Sequence, residues 1–523
     1  MTSVTAPTRS RSAGARIAGA ATILLSGFAL SRLTGLLRDM VLTAQFGASR
    51  ELDLYIAAFR IPDTVFALVA GGALGSTLVP VFAERLQKGD RAGAGRLAST
   101  VFNLVALAAI VAAAAGMLLA DEIAPLFGAG FEPAEQARLA LLIRILLIQP
   151  VLLSMSEVVS RFLNVHQHFF YPALAPALYN VPIILAALAL GPRFGSVGLV
   201  MGVVLGAVLY FVVQLPAGIK AGFRVRRTLD VKDPALRQIG QLMVPRMVGQ
   251  GAVQFSFILT TYLATYLPEG RLVALSVAWV LTMLPLGPLG MAIGNAALPT
   301  MSAQAARGAR DELGKTAGRT LSAILFLIAP ATVLLIIVGL PIVRTLYERG
   351  NFTLESSAQT ATALAFYAAG LPAHGAIEIL TRAFFALQNT RTPVVVAVLA
   401  MVTNVVLAYS LVGTLGYLAI ALALTASTII EAAVLWLLLR REVPRVASPT
   451  VFFSLARTAL ATVAMGGALV PALALARSGE LHPLFQVIAS LAAGGAVYLA
   501  VARLTRSPEL SSIVSLIQSR FRR

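Results

Sequence analysis

The chain has 523 residues, of which 58% are apolar and 12% are charged. A membrane-spanning helix needs roughly 20 mostly apolar residues, so this composition excludes a soluble globular protein, a disordered chain and a coiled coil. The formal net charge of +18 fits either nucleic acid or a membrane surface as partner. Cysteine is absent and there are only four histidines, which excludes thiolate metal sites and argues against a zinc site.

Apolar runs bounded by charges or by Pro and Gly predict an all-α integral membrane protein with fourteen spanning helices. The predicted helices lie near 17–46, 53–83, 97–120, 136–160, 168–190, 195–218, 236–266, 272–301, 317–343, 356–386, 393–413, 415–439, 450–476 and 484–503. Arginines precede the first run, as in a signal peptide. No cleavage site of small residues closes that run, so we predict a retained helix.

The charges of the connecting segments alternate along the chain. The N-terminus, every second loop and the C-terminal tail together carry 27 basic residues, whereas the opposite face carries six arginines and several acidic residues. By the positive-inside rule the basic face is cytoplasmic and both termini lie inside. The net charge is therefore explained by membrane topology, and we predict no nucleic-acid partner.

A long internal repeat divides the helices into two halves. Phe131, Glu157, Arg161 and Pro172 match Phe352, Glu378, Arg382 and Pro393 at a constant offset of 221 residues. An offset that covers six helices leaves both copies in the same orientation, which is typical of transporters whose site lies between the halves. The predicted segments are a basic tail (1–16), an N-lobe (17–218), a linker (219–235), a C-lobe (236–439), two extra helices (450–503) and a basic tail (504–523).

Several arginines fall inside predicted spans, where a charge costs about 2.5–3.5 kcal/mol on insertion scales. Arg32 and Arg38 lie in the first helix and Arg246 in the seventh. Unpaired cations deep in a bundle suit a phosphate or pyrophosphate ligand. If the halves face each other, we expect Arg32 and Arg246 to approach across a central cavity. The alternative is that these arginines anchor helices through carboxylates such as Asp39.

Two further charge pairs occupy equivalent places in the repeat. Glu157 with Arg161, and Glu378 with Arg382, are spaced i,i+4 on one helix face. Such a pair contributes only about 0.2–0.5 kcal/mol on an isolated helix. This is too little to offset the cost of placing either charge in lipid. We predict that both pairs lie near the cytoplasmic end or face the interior, with a structural or gating role favoured over a substrate role.

Several segments closely resemble the MurJ (MviN) family, the lipid II flippases of the MOP transporter superfamily. The matching segments run in order from about residue 20 to 410: Ser31 to Asp39, Phe46 to Ala48, Ala58 to Pro62, Leu78 to Glu84, Leu267 to Gly270, Tyr347 to Thr353, and Thr381 to Pro393. The resemblance implies fourteen helices, with two six-helix lobes around a cavity.

The resemblance also implies a function. Members of this family move undecaprenyl-pyrophosphate-linked peptidoglycan precursor, a glycopeptide lipid, across the bacterial cytoplasmic (inner) membrane by alternating access, without catalysis. Family arginines bind the pyrophosphate, and a groove beside the last two helices takes the lipid tail. Carried over by position, Ser31, Arg32 and Arg38 would bind substrate, and Asp39 and Asp53 match the family's acidic functional positions.

Two positions depart from the family pattern. Many members have an Arg-Arg pair and a Glu in the second helix, where this chain has Phe66-Ala67 and Gly71. The eighth helix usually has Asp-Arg, where this chain has Trp279-Val280. Part of the expected cationic cluster is missing, and Arg246 is a candidate substitute.

Other functions remain as alternatives. A MOP-superfamily exporter of another polyprenyl-linked oligosaccharide is the closest of these. A multidrug exporter ranks lower because a cationic cavity opposes cationic drugs. A membrane glycosyltransferase would need a loop with catalytic acids or histidines, and a scaffold leaves the buried cations unexplained. We expect a monomer surrounded by membrane lipids and no cofactor, with the coupling to membrane potential or a monovalent cation left open.

Overall fold

The computed structural model describes residues 9–70, 73–226, 229–230 and 232–521. Nearly all of these residues are helical, and no strand occurs among them. The chain forms two compact units, Met1–Tyr266 and Leu267–Arg523. The predicted all-α class is confirmed.

Thirteen helices occur among the described residues of the first unit. They are α1 (Arg9–Phe46), α2 (Arg50–Ala58), α3 (Arg60–Val69), α4 (Ala73–Gln87), α5 (Arg91–Leu118), α6 (Ala120–Phe127), α7 (Pro133–Leu146), α8 (Ile148–Val165), α9 (Phe170–Ala189), α10 (Gly191–Phe194), α11 (Ser196–Val212), α12 (Leu215–Lys220) and α13 (Pro234–Thr265). Its apolar core includes the edge-to-face rings of Phe82 on α4 and Phe162 on α8, whose centroids are 5.5 Å apart.

Up to Phe521, where the description ends, the second unit has ten α-helices and a short 3-10 helix (Pro444–Ala447). The α-helices are α14 (Arg271–Ala306), α15 (Arg310–Ile337), α16 (Gly339–Tyr347), α17 (Leu354–Ala369), α18 (Leu371–Ala386), α19 (Arg391–Leu415), α20 (Tyr417–Glu442), α21 (Pro449–Ser478), α22 (Pro483–Leu504) and α23 (Pro508–Phe521). The predicted extra pair corresponds to α21 and α22, which pack along each other and against α15 and α16. The helix α23 lies in the predicted basic tail.

Ten helical segments of the described chain are long and apolar enough to cross a membrane, and the bent helix α14 adds an eleventh. These segments establish a multi-pass membrane protein. The count of fourteen stays a prediction, because the first, second and seventh predicted spans are not among the segments that qualify.

Backbone geometry repeats between the two units at the spacing that the sequence predicts. Gln167 and Gln388, 221 residues apart, both adopt positive φ, at 63° and 59°. Gly195 and Gly416, also 221 residues apart, precede α11 and α20 with φ near 58° and ψ of −137°. This backbone region is essentially restricted to glycine. The repeat is therefore a structural one.

The second predicted span, 53–83, is not one continuous helix. It consists of α2, α3 and α4, with a break at Phe59 between α2 and α3. This break follows from Pro62, which has no amide hydrogen and whose ring clashes with the carbonyl four residues earlier. Helix α2 accordingly ends at Ala58.

The seventh predicted span corresponds to α13. It packs against α3 and α4 in the first unit. The repeat assigns this helix to the C-lobe, so division by packing differs from division by sequence repeat.

Candidate functional site

A polar cluster connects α1 and α9 inside the first unit. The Arg38 side chain donates to Asp39 Oδ1 from Nε and Nη2, at 3.0 and 2.8 Å. Its Nη1 donates to Asn180 Oδ1 at 3.1 Å, and Asn180 Nδ2 donates to Thr34 Oγ1 at 3.1 Å. Arg38 is therefore not an unpaired cation, and it makes the kind of carboxylate contact that the anchoring alternative requires.

Small residues allow the two helices to come this close. A Cβ atom added at Gly27 would lie 2.5 Å from both the Cβ and the carbonyl oxygen of Ala173 on α9. Such close backbone approach at small residues is typical of helix pairs in membranes. The Arg38 side chain nevertheless keeps 28% of its surface exposed.

Arg60 and Asp63 on α3 extend the charged region of the first unit. Asp63 interacts electrostatically with Arg60 and Arg38. Arg60 Nε donates to Thr261 Oγ1 on α13 at 2.7 Å, and its guanidinium lies 5.4 Å from the Phe257 ring centroid. The sequence prediction did not assign either residue a role, although an Arg and an Asp within an apolar run were a visible signal.

The other predicted substrate-binding residues lie in different surroundings. Arg32 is exposed, makes no ion pair within the described part of the chain, and lies 5.1 Å from the Phe28 ring centroid. The carbonyl of Ser31 accepts a hydrogen bond from Thr34 Oγ1 at 3.1 Å. The side chain of Arg246 lies outside the described residues. The predicted approach of Arg246 to Arg32 therefore stays a prediction.

Asp53 belongs to a separate charged network at the start of α2. Its side chain is buried, with 2% of its surface exposed, and lies 3.9 Å from Arg50 Nη1. Arg50 Nε in turn pairs with Glu135 Oε1 at 3.2 Å. An acidic residue in the first turn stabilises the positive end of a helix dipole. These contacts tie Asp53 to the packing at the start of α2.

The two predicted i,i+4 pairs form ion pairs on α8 and α18. Glu157 contacts Arg161, and Glu378 contacts Arg382. The Glu157 side chain is 14% exposed and the Arg161 side chain 31%. The predicted pairing within each helix is therefore present, whereas the gating role stays a prediction.

Glycines of α14 accommodate the second pair. A Cβ atom at Gly294 would lie 2.6 Å from Arg382 Nε, and one at Gly290 would lie 3.4 Å from Glu378 Cγ. Arg382 Nη2 also donates to Asn295 Oδ1 at 3.3 Å. Hence α14 and α18 pack closely at this pair, with the Arg382 side chain 16% and the Glu378 side chain 38% exposed.

Aromatic packing occupies the positions that depart from the family pattern. The Trp279 ring lies 5.5 Å from the Tyr367 ring and 5.6 Å from the His374 ring. Phe66 packs against the apolar core of the first unit. Gly71 lies outside the described residues. At Trp279 and Phe66, packing of rings thus replaces charge.

Comparison with known proteins places these features in a family. A family model described as "Lipid II flippase MurJ" matches residues 42–489. A probable lipid II flippase MurJ of Vibrio cholerae is 31% identical over 465 residues, covering 86% of this chain and 88% of that protein. A lipid II flippase MurJ of Burkholderia cenocepacia is 30% identical over 434 residues, covering 81% and 84%.

Two solved structures share the fold. The structure of a lipid II flippase MurJ in an inward closed conformation superposes with a TM-score of 0.77 at 23% identity, covering 92% of this chain and 98% of that one. A multidrug resistance MATE family transporter of the MOP superfamily, in an inward-facing conformation, superposes with a TM-score of 0.68 at 15% identity, covering 80% and 95%.

Proposed function

The chain belongs to the lipid II flippase MurJ family, and we propose that it translocates lipid II across the cytoplasmic membrane for cell-wall synthesis. The observation that carries this proposal is the family match over residues 42–489. The proposed mechanism is alternating access, and the proposed role is transport without catalysis.

The arginines of α1 suit the pyrophosphate of such a lipid. Arg32 is exposed and free of ion pairs within the described residues, so it is available to a ligand without breaking an ion pair. Arg38 is oriented by Asp39 and Asn180 and remains partly exposed. A guanidinium binds phosphate oxygens in bidentate fashion. We therefore propose that Arg32 binds the substrate directly and that Arg38 is held in place beside it.

The test is transport of lipid II by the full chain in liposomes. Arg32→Lys should retain partial transport because charge is kept, and Arg32→Glu should abolish it because a carboxylate repels pyrophosphate. Arg193→Glu, which changes an exposed arginine on α10, is the matched control and should transport normally. All variants should insert at equal levels.

Transport by Arg32→Glu at the control rate would show that Arg32 does not bind the substrate. Complementation of a strain depleted of its lipid II flippase tests the function itself. Failure to complement, together with transport of another polyprenyl-linked oligosaccharide, would favour the alternative exporter.

We propose that both termini are cytoplasmic and that the protein acts as a monomer in the cytoplasmic membrane of a bacterium. The asymmetry of basic residues between alternate loops supports this orientation. A cysteine at the exposed Ser478 should react with an impermeant thiol reagent in intact cells, whereas one at the exposed Ala92 should not. The native chain has no cysteine to interfere. Labelling at position 92 but not at position 478 would show that the orientation is the reverse of the one proposed.

The helices α21 and α22 are the proposed docking element for the lipid tail. Several large apolar side chains on α21 are strongly exposed, including Val463 at 72% and Leu475 at 75%. An isoprenoid tail would bury such surface. In the liposome assay, the double variant Val463→Ser, Leu475→Ser should therefore transport lipid II more slowly, although Arg32 is unchanged in it.

A further inference from the structure

A cavity of about 420 Å³ opens in the second unit where α21 turns into α22. Its charged and polar lining comes from two places: Arg344 on α16, and Arg477, Glu480, His482 and Gln486 around the turn. None of these residues has a part in the transport mechanism proposed above. The cavity is therefore a candidate for a separate binding site.

The lining presents one available cation and one available anion. Arg344 is already neutralised, because Nε and Nη2 donate to both oxygens of Glu348 at 2.7 and 3.1 Å. Arg477 and Glu480 are both exposed, and neither makes an ion pair within the described part of the chain. A ligand that carries both signs of charge would match this arrangement.

Two further side chains define where hydrogen bonds can form. His482 Nδ1 accepts from the amide of Leu484 at 3.3 Å, so the neutral ring carries its proton on Nε2 and can donate from there. Gln486 Nε2 donates to the Leu481 carbonyl at 2.8 Å, which orients its amide. The donors Arg477 and His482 therefore suit a phosphate, and the acceptor Glu480 suits an ammonium group.

The cavity lies where the helices leave the membrane. Helix α22 has 22 residues and spans about 33 Å at 1.5 Å per residue, close to the roughly 30 Å of a hydrocarbon core. The turn before it is thus level with lipid headgroups. Next to the cavity, Leu484 and Phe485 are 42% and 56% exposed. Acyl chains would cover this apolar surface, whereas a soluble ion would not.

We propose that this cavity binds the headgroup of a phospholipid carrying a primary amine, of the phosphatidylethanolamine type. Arg477 and His482 bind the phosphate, and Glu480 accepts hydrogen bonds from the ammonium group. A purely anionic headgroup would place its charge beside Glu480. A choline headgroup has no N–H to donate and is usually recognised by aromatic rings, and the described lining contains no Phe, Tyr or Trp.

The test measures retention of lipids by the purified full chain in native mass spectrometry. The probes are dioleoyl phosphatidylethanolamine, dioleoyl phosphatidylglycerol and dioleoyl phosphatidylcholine at equal concentrations. The intact chain should retain the ethanolamine lipid several-fold more than the other two. Arg477→Ala should lower that retention about tenfold, and Arg477→Lys should lower it less. Glu480→Gln should abolish the preference for ethanolamine over glycerol headgroups.

Arg349→Ala is the matched control. Arg349 is an exposed arginine just after α16, does not line the cavity, and donates to the Thr345 carbonyl at 2.7 Å. This variant should retain lipid as the intact chain does. Thermal unfolding without added lipid should be the same for all variants, because the changed residues are exposed.

Equal retention of the ethanolamine lipid by the intact chain and Arg477→Ala would overturn the proposal. So would stronger retention of the glycerol lipid by the intact chain, which would make the cavity a plain anion site. Glycerophosphoethanolamine, the soluble headgroup, should compete only weakly, and full competition would overturn the assignment to a membrane lipid. Lipid retention is measured without transport, so its outcome is independent of the flippase proposal.

Discussion

Helix α9 and its repeat counterpart α19 lie in different surroundings. Helix α9 packs along α1 on one side and along α11 on the other. Helix α19 packs along α20, and its buried residues after Pro393 form a single stripe at four-residue spacing: Val396, Ala400, Asn404 and Ala408. Large apolar side chains elsewhere on α19 are exposed, including Leu399 at 59% and Tyr409 at 74%.

Each helix has one buried amide, Asn180 on α9 and Asn404 on α19, and two other side-chain contacts show how their surroundings differ. Asn180 on α9 is 4% exposed and bonds to Thr34 and Arg38 of α1. Thr403 on α19 is partly exposed and donates to the Leu399 carbonyl of its own helix. Equivalent helices of the repeat thus have different partners. A buried amide that bonds to another helix stabilises the packing of the two helices. A hydroxyl bonded to its own helix does not contribute to packing against neighbouring helices.

The largest expected effect comes from the close approach of α1 and α9. Gly27→Ala places a Cβ atom 2.5 Å from the backbone of Ala173, so the helices must separate. Overpacking of this kind costs typically 1–3 kcal/mol. The melting temperature in detergent should fall by several degrees.

Gly413→Ala on α19 is the matched control for this substitution. A Cβ atom there meets nothing within 4 Å. Its melting temperature should be unchanged or slightly higher, because alanine favours helix more than glycine does. Equal destabilisation by the two substitutions would contradict the difference between α9 and α19.

A smaller effect is expected from the buried amide. Asn180→Leu removes the acceptor for Arg38 Nη1 and the donor to Thr34 Oγ1. Hydrogen bonds between helices in membranes contribute about 0.6 kcal/mol on average, so the loss should be about 1 kcal/mol. The measurement is thermal unfolding of the purified protein. Thr403→Val on α19 should leave stability unchanged, and an equal loss there would argue against the special role of Asn180.

The sequence was sufficient to predict much of the fold. Apolar runs, the alternating loop charges and the 221-residue repeat led to an all-α membrane protein in two halves, and the family was visible in the motifs around Arg38 and Arg382. The Glu378–Arg382 pair was also predictable, because i,i+4 residues lie on one helix face. The interruption of the second span was not predicted, although Pro62 was a signal for it.

The charged site was only partly predictable. Arg38 and Asp39 are adjacent in sequence, and adjacent positions on a helix do not usually face each other. Their ion pair forms because the long arginine side chain folds back toward Asp39. Asn180 is 142 residues from Arg38, and Arg60 is 201 residues from Thr261. No local pattern indicates such partners.

What the sequence by itself determined is the all-α class and the presence of many apolar segments long enough to cross a membrane, since an α-helix satisfies its backbone groups internally in lipid. Only the tertiary structure decided which helices pack together: α13 with α3 and α4, α1 with α9, and α18 with the glycines of α14. The physical reason is that lipid tails and protein interiors are equally apolar, so hydrophobicity does not distinguish a helix neighbour from a lipid neighbour. Small residues and polar pairs distant in sequence make that distinction.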